Sequence, residues 1–276
     1  MKWQGRRGST NIEDRRGMRM GLPIGGGIGG IVLLLLYSAL TGQNPIDIAG
    51  GVIPGEETPA SSVPADDPQT QFISVVLADT EETWGQVFSE HNARYEPPVL
   101  VLFRDATQSA CGLGQSAMGP FYCPGDRKVY LDLSFFQELD QRFGAPGEFA
   151  QAYVVAHEVG HHIQTLTGVS ERVSAARQQG DRASGNALSV RQELQADCYA
   201  GVWGHYAARK NLLEPGDAED GLRAAAAIGD DRLQKQSQGR VAPESFTHGS
   251  SAQRVEWLRR GLESGRLESC DTFSGS

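Results

Sequence analysis

Two histidines and a glutamate in one short stretch could bind a metal ion and use it. Residues 157–161 read HEVGH. Positions four apart lie on one face of a helix, so His157 and His161 can direct two imidazole nitrogens at one zinc ion. Glu158 lies beside the first ligand and can reach a water on the metal without binding the metal itself. The pattern predicts a zinc site with a general base; the alternative, a helix with two surface histidines, is disfavoured by the small apolar residues between them.

A second pair of acids could complete this site. Catalytic zinc takes three protein ligands and keeps one position open. Glu193 and Asp197 are four apart in residues 187–209, an alanine- and aromatic-rich stretch that predicts another helix. We expect Glu193 to be the third ligand, and Asp197 to accept a hydrogen bond from the outer nitrogen of a ligating histidine. Two solvent-exposed acids are the alternative, which the low polarity of the stretch disfavours.

The elements that position these residues can be predicted from periodicity. Apolar residues at three- and four-residue steps predict the metal-binding helix over residues 147–168. The neighbouring His162 is expected to be partly exposed, without a metal role. Short strands are expected over 99–103 and 127–133; the second would either bind substrate backbone or only cover the core. Further helices are expected over 72–92, 135–143, 217–235 and 252–263. The predicted domain is therefore α+β, mainly helical, with a small sheet.

The charge of the chain is unevenly distributed. Its formal net charge is −9. Residues 1–20 contain six basic and two acidic residues, so the rest of the chain is strongly acidic. An acidic body gives no indication of nucleic-acid binding, and we expect no nucleic-acid partner.

An uncharged, apolar stretch follows the basic N-terminus. Residues 22–41 are long enough to cross a bilayer as one helix. A cleaved signal peptide and a glycine-rich loop before a buried helix are the alternatives. The predicted organisation is a basic cytoplasmic segment 1–21, a transmembrane helix 22–41, a Pro/Gly-rich linker 42–70 and a catalytic domain 71–276. The positive-inside rule predicts a single-pass protein of the inner membrane, with a cytoplasmic N-terminus and a periplasmic or otherwise extracytoplasmic catalytic domain.

Four cysteines are expected to form two disulfides in such a compartment. Cys111 and Cys123 bracket a glycine-rich loop, which a local bridge would restrain. Cys198 and Cys270 would then pair by elimination. Four reduced, buried thiols are the alternative. A zinc site made of the four cysteines is disfavoured, because the chain has no C-x-x-C pair.

The motifs together resemble the bacterial "putative neutral zinc metallopeptidase" family. The resemblance extends over nearly the full chain, through WQGRRGSTNIEDRRG, GPFYCPGDRKVYLD, AHEVGHHIQ, ELQADCYAGVW and FTHGSSAQRVEWLRRG. The E-x-x-x-D pair after HExxH is also the gluzincin pattern. The resemblance implies a zincin-like domain in which His157, His161 and Glu193 bind zinc and Glu158 is the base.

A segment near the C-terminus resembles one that approaches the active site in CAAX-protease-like peptidases. Thr247, His248 and Arg254 match its T-H-x-x-x-x-x-R spacing. This resemblance implies that His248 stabilises the oxyanion of the tetrahedral intermediate, with Arg254 as a possible second donor. The alternative is that Ser250 or Ser251 caps the last helix and His248 only packs beside it.

The sequence thus predicts a membrane-anchored, zinc-dependent peptidase that hydrolyses peptide bonds of a peptide or protein substrate with a zinc-activated water. Two other functions remain open. One is a membrane-tethered binding module in which zinc is structural, although such a site would not need Glu158. The other is an amidase acting on cell-wall peptide.

Overall fold

Helices make up most of the structure. A computed structural model describes residues 1–17 and 67–274 of the chain. Within these ranges lie eight α-helices: α1 (Pro68–Glu90), α2 (Ser134–Gln141), α3 (Glu148–Leu166), α4 (Val169–Gln179), α5 (Arg182–Arg209), α6 (Asp217–Ala227), α7 (Asp230–Gln238) and α8 (Ser251–Ser264). The same ranges contain six strands: β1 (Ile12–Asp14), β2 (Val99–Phe103), β3 (Ala106–Ser109), β4 (Gly112–Gln115), β5 (Phe121–Cys123) and β6 (Lys128–Asp132). The predicted α+β class is confirmed.

Four of the strands form one sheet in the order β1-β2-β6-β5. The pairs β1–β2 and β2–β6 are parallel, and β5 runs antiparallel to β6. Strand β2 reads VLVLF because both of its faces are buried, as is usual for a central parallel strand. The strand predicted over 127–133 as the substrate-binding strand is β6, which is paired on both sides. The substrate role predicted for it is therefore wrong and the alternative, that it covers the core, fits its place; the edge strands of this sheet are β1 and β5.

Sequence periodicity placed most helices within a few residues of their observed bounds. Helix α1 begins earlier than predicted, because Asp67 accepts a hydrogen bond from the backbone N–H of Thr70 (3.2 Å) and so caps the helix. The single helix predicted over 217–235 is two helices, α6 and α7. Gly229 separates them where the backbone of Ser251, at the start of α8, lies too close for any side chain.

The metal-binding helix α3 lies against α5, and the contact depends on a glycine. A Cβ atom on Gly160 would lie 2.9 Å from the carbonyl oxygen of Ala196 on α5. The two helices can therefore approach closely where His157 and His161 are, and α5 carries Glu193 one turn before Ala196. Helix α8 crosses α5 on its other side, where Gly201 and Gly261 meet.

The first residues of the chain are part of this fold. Strand β1 extends the sheet, and the indole of Trp3 meets the ring of Phe72 edge-on, with centroids 5.6 Å apart. The predicted domain boundaries kept residues 1–21 apart from the catalytic domain, and the structure differs there. The difference arises because a three-residue strand in a charged segment leaves almost no periodic signal.

Both predicted disulfides are present, Cys111–Cys123 and Cys198–Cys270. The first ties the β3–β4 turn to β5, and the second ties α5 to the C-terminal turn Leu267–Cys270. None of the helices in the described ranges is long and apolar enough to cross a bilayer. The predicted span 22–41 lies outside those ranges, as do residues 42–66 of the predicted linker.

Candidate metal centre

His157, His161 and Glu193 meet in one cluster, as the sequence predicted. One ligand atom from each can be chosen so that all three lie within 4.8 Å of one another. The Nε2 of His157 is 3.2 Å from Oε2 of Glu193, and the Nε2 of His161 is 3.5 Å from its Oε1. Atoms that bind a tetrahedral zinc ion at about 2.0–2.1 Å are about 3.3 Å from one another. The donor set and its spacing therefore fit a catalytic zinc ion.

The charges around the cluster also favour a dication. Glu158, Glu193 and Asp197 are carboxylates, and the guanidinium of Arg254 donates two hydrogen bonds to Asp197. Burial disfavours unbalanced charge, so these carboxylates favour a cation beside them, either a metal ion or a protonated histidine. Burial alone would lower the pKa of His157, but the Asp197 and Glu193 carboxylates raise it to about 10.

Asp197 is hydrogen-bonded to the outer nitrogen of His157, as predicted. Its Oδ1 is 2.9 Å from Nδ1 of His157. A carboxylate only accepts hydrogen bonds, so Nδ1 carries a proton and Nε2 is the nitrogen left to bind a metal. Tyr153 donates to the same Oδ1 from its hydroxyl (2.5 Å), and Asp197 is completely buried. Burial would raise the pKa of Asp197, but Arg254 and His157 lower it to about 2.

Arg254 lines the cleft and is bonded to Asp197. It is only 3% exposed, and its Nε and Nη2 each donate to Asp197 at 2.9 Å. The Nη2 atom also donates to the hydroxyl of Tyr153 (3.2 Å). The guanidinium thus orients the carboxylate that orients His157. The role of a second oxyanion donor stays a prediction for this residue.

His161 is oriented by a residue that the sequence reasoning missed. Its Nδ1 lies 2.9 Å from Oε1 of Gln164, which is completely buried. An amide oxygen accepts, so here too Nδ1 carries the proton and Nε2 is free to bind metal. The signal that could have revealed Gln164 is its spacing, since residues three apart are neighbours on a helix surface.

Glu158 is buried at the cluster but keeps a free carboxylate. It is 7% exposed, and within the described ranges its side chain has no hydrogen-bond partner. Burial raises its pKa, and the nearby His161 and His157 oppose that rise. A buried carboxylate without a partner, next to two metal ligands, can accept a proton from a substrate or a water.

His248 lines the cleft that contains the cluster. It is bonded to Asp230, which the sequence analysis did not identify. Its Nδ1 is 3.2 Å from Oδ1 of Asp230. The other oxygen of Asp230 accepts from the backbone N–H groups of Thr247, His248 and Gly249, at 2.7, 2.6 and 3.1 Å. The hydrogen bond to Asp230 raises the pKa of His248. Ser250 does cap α8, with Gln253 completing a capping box, so the predicted cap is confirmed and the oxyanion role of His248 stays a prediction.

His162 is buried, not partly exposed as predicted. Its Nε2 is 2.6 Å from the carbonyl oxygen of Glu96, so that nitrogen must carry the proton. Its Nδ1 then accepts from the hydroxyl of Tyr122 on β5 (3.1 Å). The prediction that His162 has no metal role agrees with this position, and the bonds fix the edge strand to the metal helix.

A single cleft of about 1180 Å³ brings these groups together. It is lined by His157, Glu158, His161, Glu193 and His248, and by Phe121 and Tyr122 from the edge strand. A cleft of this size admits several residues of a peptide.

A protein-family profile and several known proteins match the chain. Over residues 1–273 the chain matches the profile of a family described as "Putative neutral zinc metallopeptidase". The uncharacterized protein YpfJ of Escherichia coli strain K12 is 49% identical over 287 aligned positions, which cover 100% of both chains. The uncharacterized protein Rv2575 of Mycobacterium tuberculosis strain H37Rv is 42% identical over 245 positions, or 85% of this chain and 81% of that protein. No solved structure gives a significant match.

Proposed function

The chain belongs to the family described as "putative neutral zinc metallopeptidase", as its motifs predicted, and we propose that it is a zinc-dependent peptidase attached to a membrane. One observation carries the catalytic part of the proposal. The three ligand atoms of His157, His161 and Glu193 lie within 4.8 Å of one another, in the same cleft as the unpartnered carboxylate of Glu158.

The proposed reaction is hydrolysis of a peptide bond. Zinc, when bound by His157, His161 and Glu193, supplies a Lewis acid that polarises the scissile carbonyl and makes a water a better nucleophile at neutral pH. Glu158 accepts a proton from the attacking water and passes it to the leaving nitrogen. Its burial supports this role, because a raised pKa makes the carboxylate a stronger base.

His248 is proposed to donate a hydrogen bond to the oxyanion as it forms. Asp230 supports this role in two ways, by fixing the Nδ1 side of the ring and by favouring the protonated imidazole. Preorganised donors of this kind are often worth two to three orders of magnitude in rate, or about 3–4 kcal/mol.

The substrate is proposed to be a peptide or protein that pairs with β5. An edge strand presents unpaired backbone N–H and C=O groups, and an extended peptide can bind them as an added strand. Phe121 and Tyr122 on β5 line the cleft, so a peptide on this edge lies beside the metal cluster.

The location of the protein is likewise a proposal. Residues 22–41 are proposed to attach the chain to the inner membrane, because they form an uncharged stretch of bilayer length. The two disulfides support an oxidising, extracytoplasmic compartment for the catalytic domain.

The test compares two variants of the full-length protein, Glu158→Gln and Glu138→Gln. Glu138 also lies on the cleft but is exposed, and serves as the control. We expect both variants to keep one zinc per chain by elemental analysis. Cleavage of a peptide library should fall on the order of 10²–10⁴-fold in Glu158→Gln only. Undiminished cleavage by that variant would contradict the mechanism, and a wild type that binds zinc but cleaves neither peptides nor cell-wall fragments would favour a binding module.

A further inference from the structure

A chain of buried amides runs from the second histidine ligand to the C-terminal segment. Oε1 of Gln164 is 2.9 Å from Nδ1 of His161. The amide nitrogen of Gln164 is 3.1 Å from Oε1 of Gln195, and the amide nitrogen of Gln195 is 3.0 Å from the carbonyl oxygen of Cys270. Gln164, Gln195 and Cys270 are all buried.

Two backbone carbonyls that accept from these amides determine which way each amide group points. The carbonyl of Cys270 can only accept, so Gln195 must present its NH₂ group to it and its oxygen to Gln164. Gln164 must then donate towards Gln195, and it also donates to the carbonyl of Gln192 (2.7 Å). Its oxygen therefore faces His161.

This direction decides which nitrogen of His161 can bind metal. With the oxygen of Gln164 opposite, Nδ1 carries the proton and Nε2 keeps its lone pair for the cluster. If the amide of Gln164 were reversed, its NH₂ group would face Nδ1 and the proton would move to Nε2, where it blocks metal binding.

We propose that Gln164 and Gln195 are positioning residues of the metal centre, and that the Cys198–Cys270 disulfide strengthens zinc binding by holding the Cys270 carbonyl at the end of their chain. Cys198 lies on α5, one turn after Gln195, so the disulfide fixes the carbonyl relative to the amide that it accepts from. The inference rests on the metal site of the proposed function, and it holds whether or not the protein cleaves peptides.

The test measures zinc affinity of full-length protein by competition with a chelator. Gln164→Met should bind zinc about 10–100-fold more weakly, the usual cost of removing a partner that orients a ligand. Gln195→Met and the Cys198→Ser/Cys270→Ser pair should each lose a smaller factor, at least about threefold, because the Gln192 carbonyl still anchors Gln164. The matched control is Cys111→Ser/Cys123→Ser, which removes the other disulfide and should bind zinc like the wild type.

Two further measurements separate positioning from loss of stability. Val76→Ala opens a cavity in the core beside α1, a helix that contributes no residue to the cleft. This variant should lower the melting temperature without changing zinc affinity. Nitrogen-15 spectra of zinc-free protein, recorded at a pH high enough for His161 to be neutral, should show its proton on Nδ1 in the wild type and a mixture of tautomers in Gln164→Met. Wild-type affinity and tautomer in Gln164→Met would overturn the positioning role. Equal zinc affinity in the two double-serine variants would overturn the role of the disulfide. If the Cys198→Ser/Cys270→Ser variant does not fold, wild-type zinc affinity in Gln195→Met would overturn that role instead, because the disulfide acts through Gln195. A wild type that binds no zinc would overturn both this inference and the proposed function.

A second inference follows independently from the N-terminal strand. Strand β1 pairs in parallel with β2 through Ile12↔Leu100 and its neighbours. The backbone N–H of Ser9 donates to the carbonyl of Ser74 (2.9 Å), and that of Arg15 donates to the carbonyl of Leu102 (2.8 Å). Residues 1–17 are therefore bonded to the catalytic domain along much of their length.

The two sides of the segment 18–66 also meet. Nη1 of Arg16 lies 2.6 Å from Oδ2 of Asp67. A single crossing of a bilayer between these two residues would place them on opposite sides of a hydrocarbon core about 30 Å thick. It would also separate β1 from β2. We infer that residues 1–17 and 67–274 lie in the same compartment, in contrast to the cytoplasmic N-terminus and extracytoplasmic domain expected from charge alone.

Accessibility in intact cells tests this inference. Arg7→Cys and Arg259→Cys each place one reporter at an exposed position, in the N-terminal segment and in the domain respectively. A membrane-impermeant maleimide should label both variants or neither. Labelling of only one of the two would overturn the inference.

Discussion

Replacing Arg254 with methionine should destabilise the zinc-free protein severely. The change removes two 2.9 Å hydrogen bonds to Asp197 and leaves that completely buried carboxylate without its cation. Removing one partner of a buried ion pair costs about 3–5 kcal/mol. For a protein of this size each kcal/mol lowers the melting temperature by about 2–4 °C, so a fall of roughly 6–20 °C is expected.

Thermal unfolding of zinc-free full-length protein measures this, with two comparisons. Arg260→Met on the same helix removes an exposed ion pair with Glu256 (3.0 Å) and should change stability by less than about 0.5 kcal/mol. Asp197→Asn combined with Arg254→Met removes both charges and should be more stable than Arg254→Met alone, because no unpaired charge remains. If Arg254→Met unfolds like the wild type but turns over substrate slowly, Arg254 acts in the cleft and the positional reasoning is wrong.

Three more outcomes can be stated for the same centre. His248→Gln should lower kcat about 10²–10³-fold with unchanged zinc affinity, and Asp230→Asn should do so more weakly; loss of zinc in either would contradict an oxyanion role. Tyr122→Phe should cost about 1–2 kcal/mol in denaturant unfolding, because the buried Nδ1 of His162 loses its donor; unchanged stability would show that the bond contributes nothing. The pKa of Asp197 is about 2, below the ordinary 3.8, so its contribution to stability is full above about pH 4 and is lost as the pH falls towards 2; an Asp197→Asn variant with the same acid dependence as the wild type would refute this.

The sequence predicts those residues of the metal centre whose positions follow from their spacing on one helix. His157, His161 and Glu158 follow from spacing on one helix, and Glu193 follows from the need for a third ligand on another. Gln164 was within reach of the same reasoning, because it lies on the face of His161, but its role depends on the amides and carbonyls of α5 that determine its direction.

The remaining contacts join side chains on different helices, whose positions in the sequence do not predict that they meet. Asp230 reaches His248 across the gap between α7 and α8, and Arg254 reaches Asp197 only because α8 crosses α5 at two glycines. A charged residue next to a predicted site is therefore compatible with several roles until the crossing of its helix is known. Residues 1–17 show the same limit, since their basic charge predicted a membrane flank while their backbone forms the sheet.

The charges at the centre explain why one buried carboxylate can remain a base. Asp197 and Arg254 neutralise each other, which leaves Glu193 and Glu158 as the carboxylates that face the metal-binding histidines in a desolvated site. The two carboxylates repel each other when no metal is bound. Burial and the charge of Glu193 both raise the pKa of Glu158. A dication balances both charges, and a nearby positive charge lowers a carboxyl pKa, so Glu158 stays ionised when the centre is complete. The same pairing that makes Arg254 indispensable to Asp197 therefore leaves Glu158 available to take a proton.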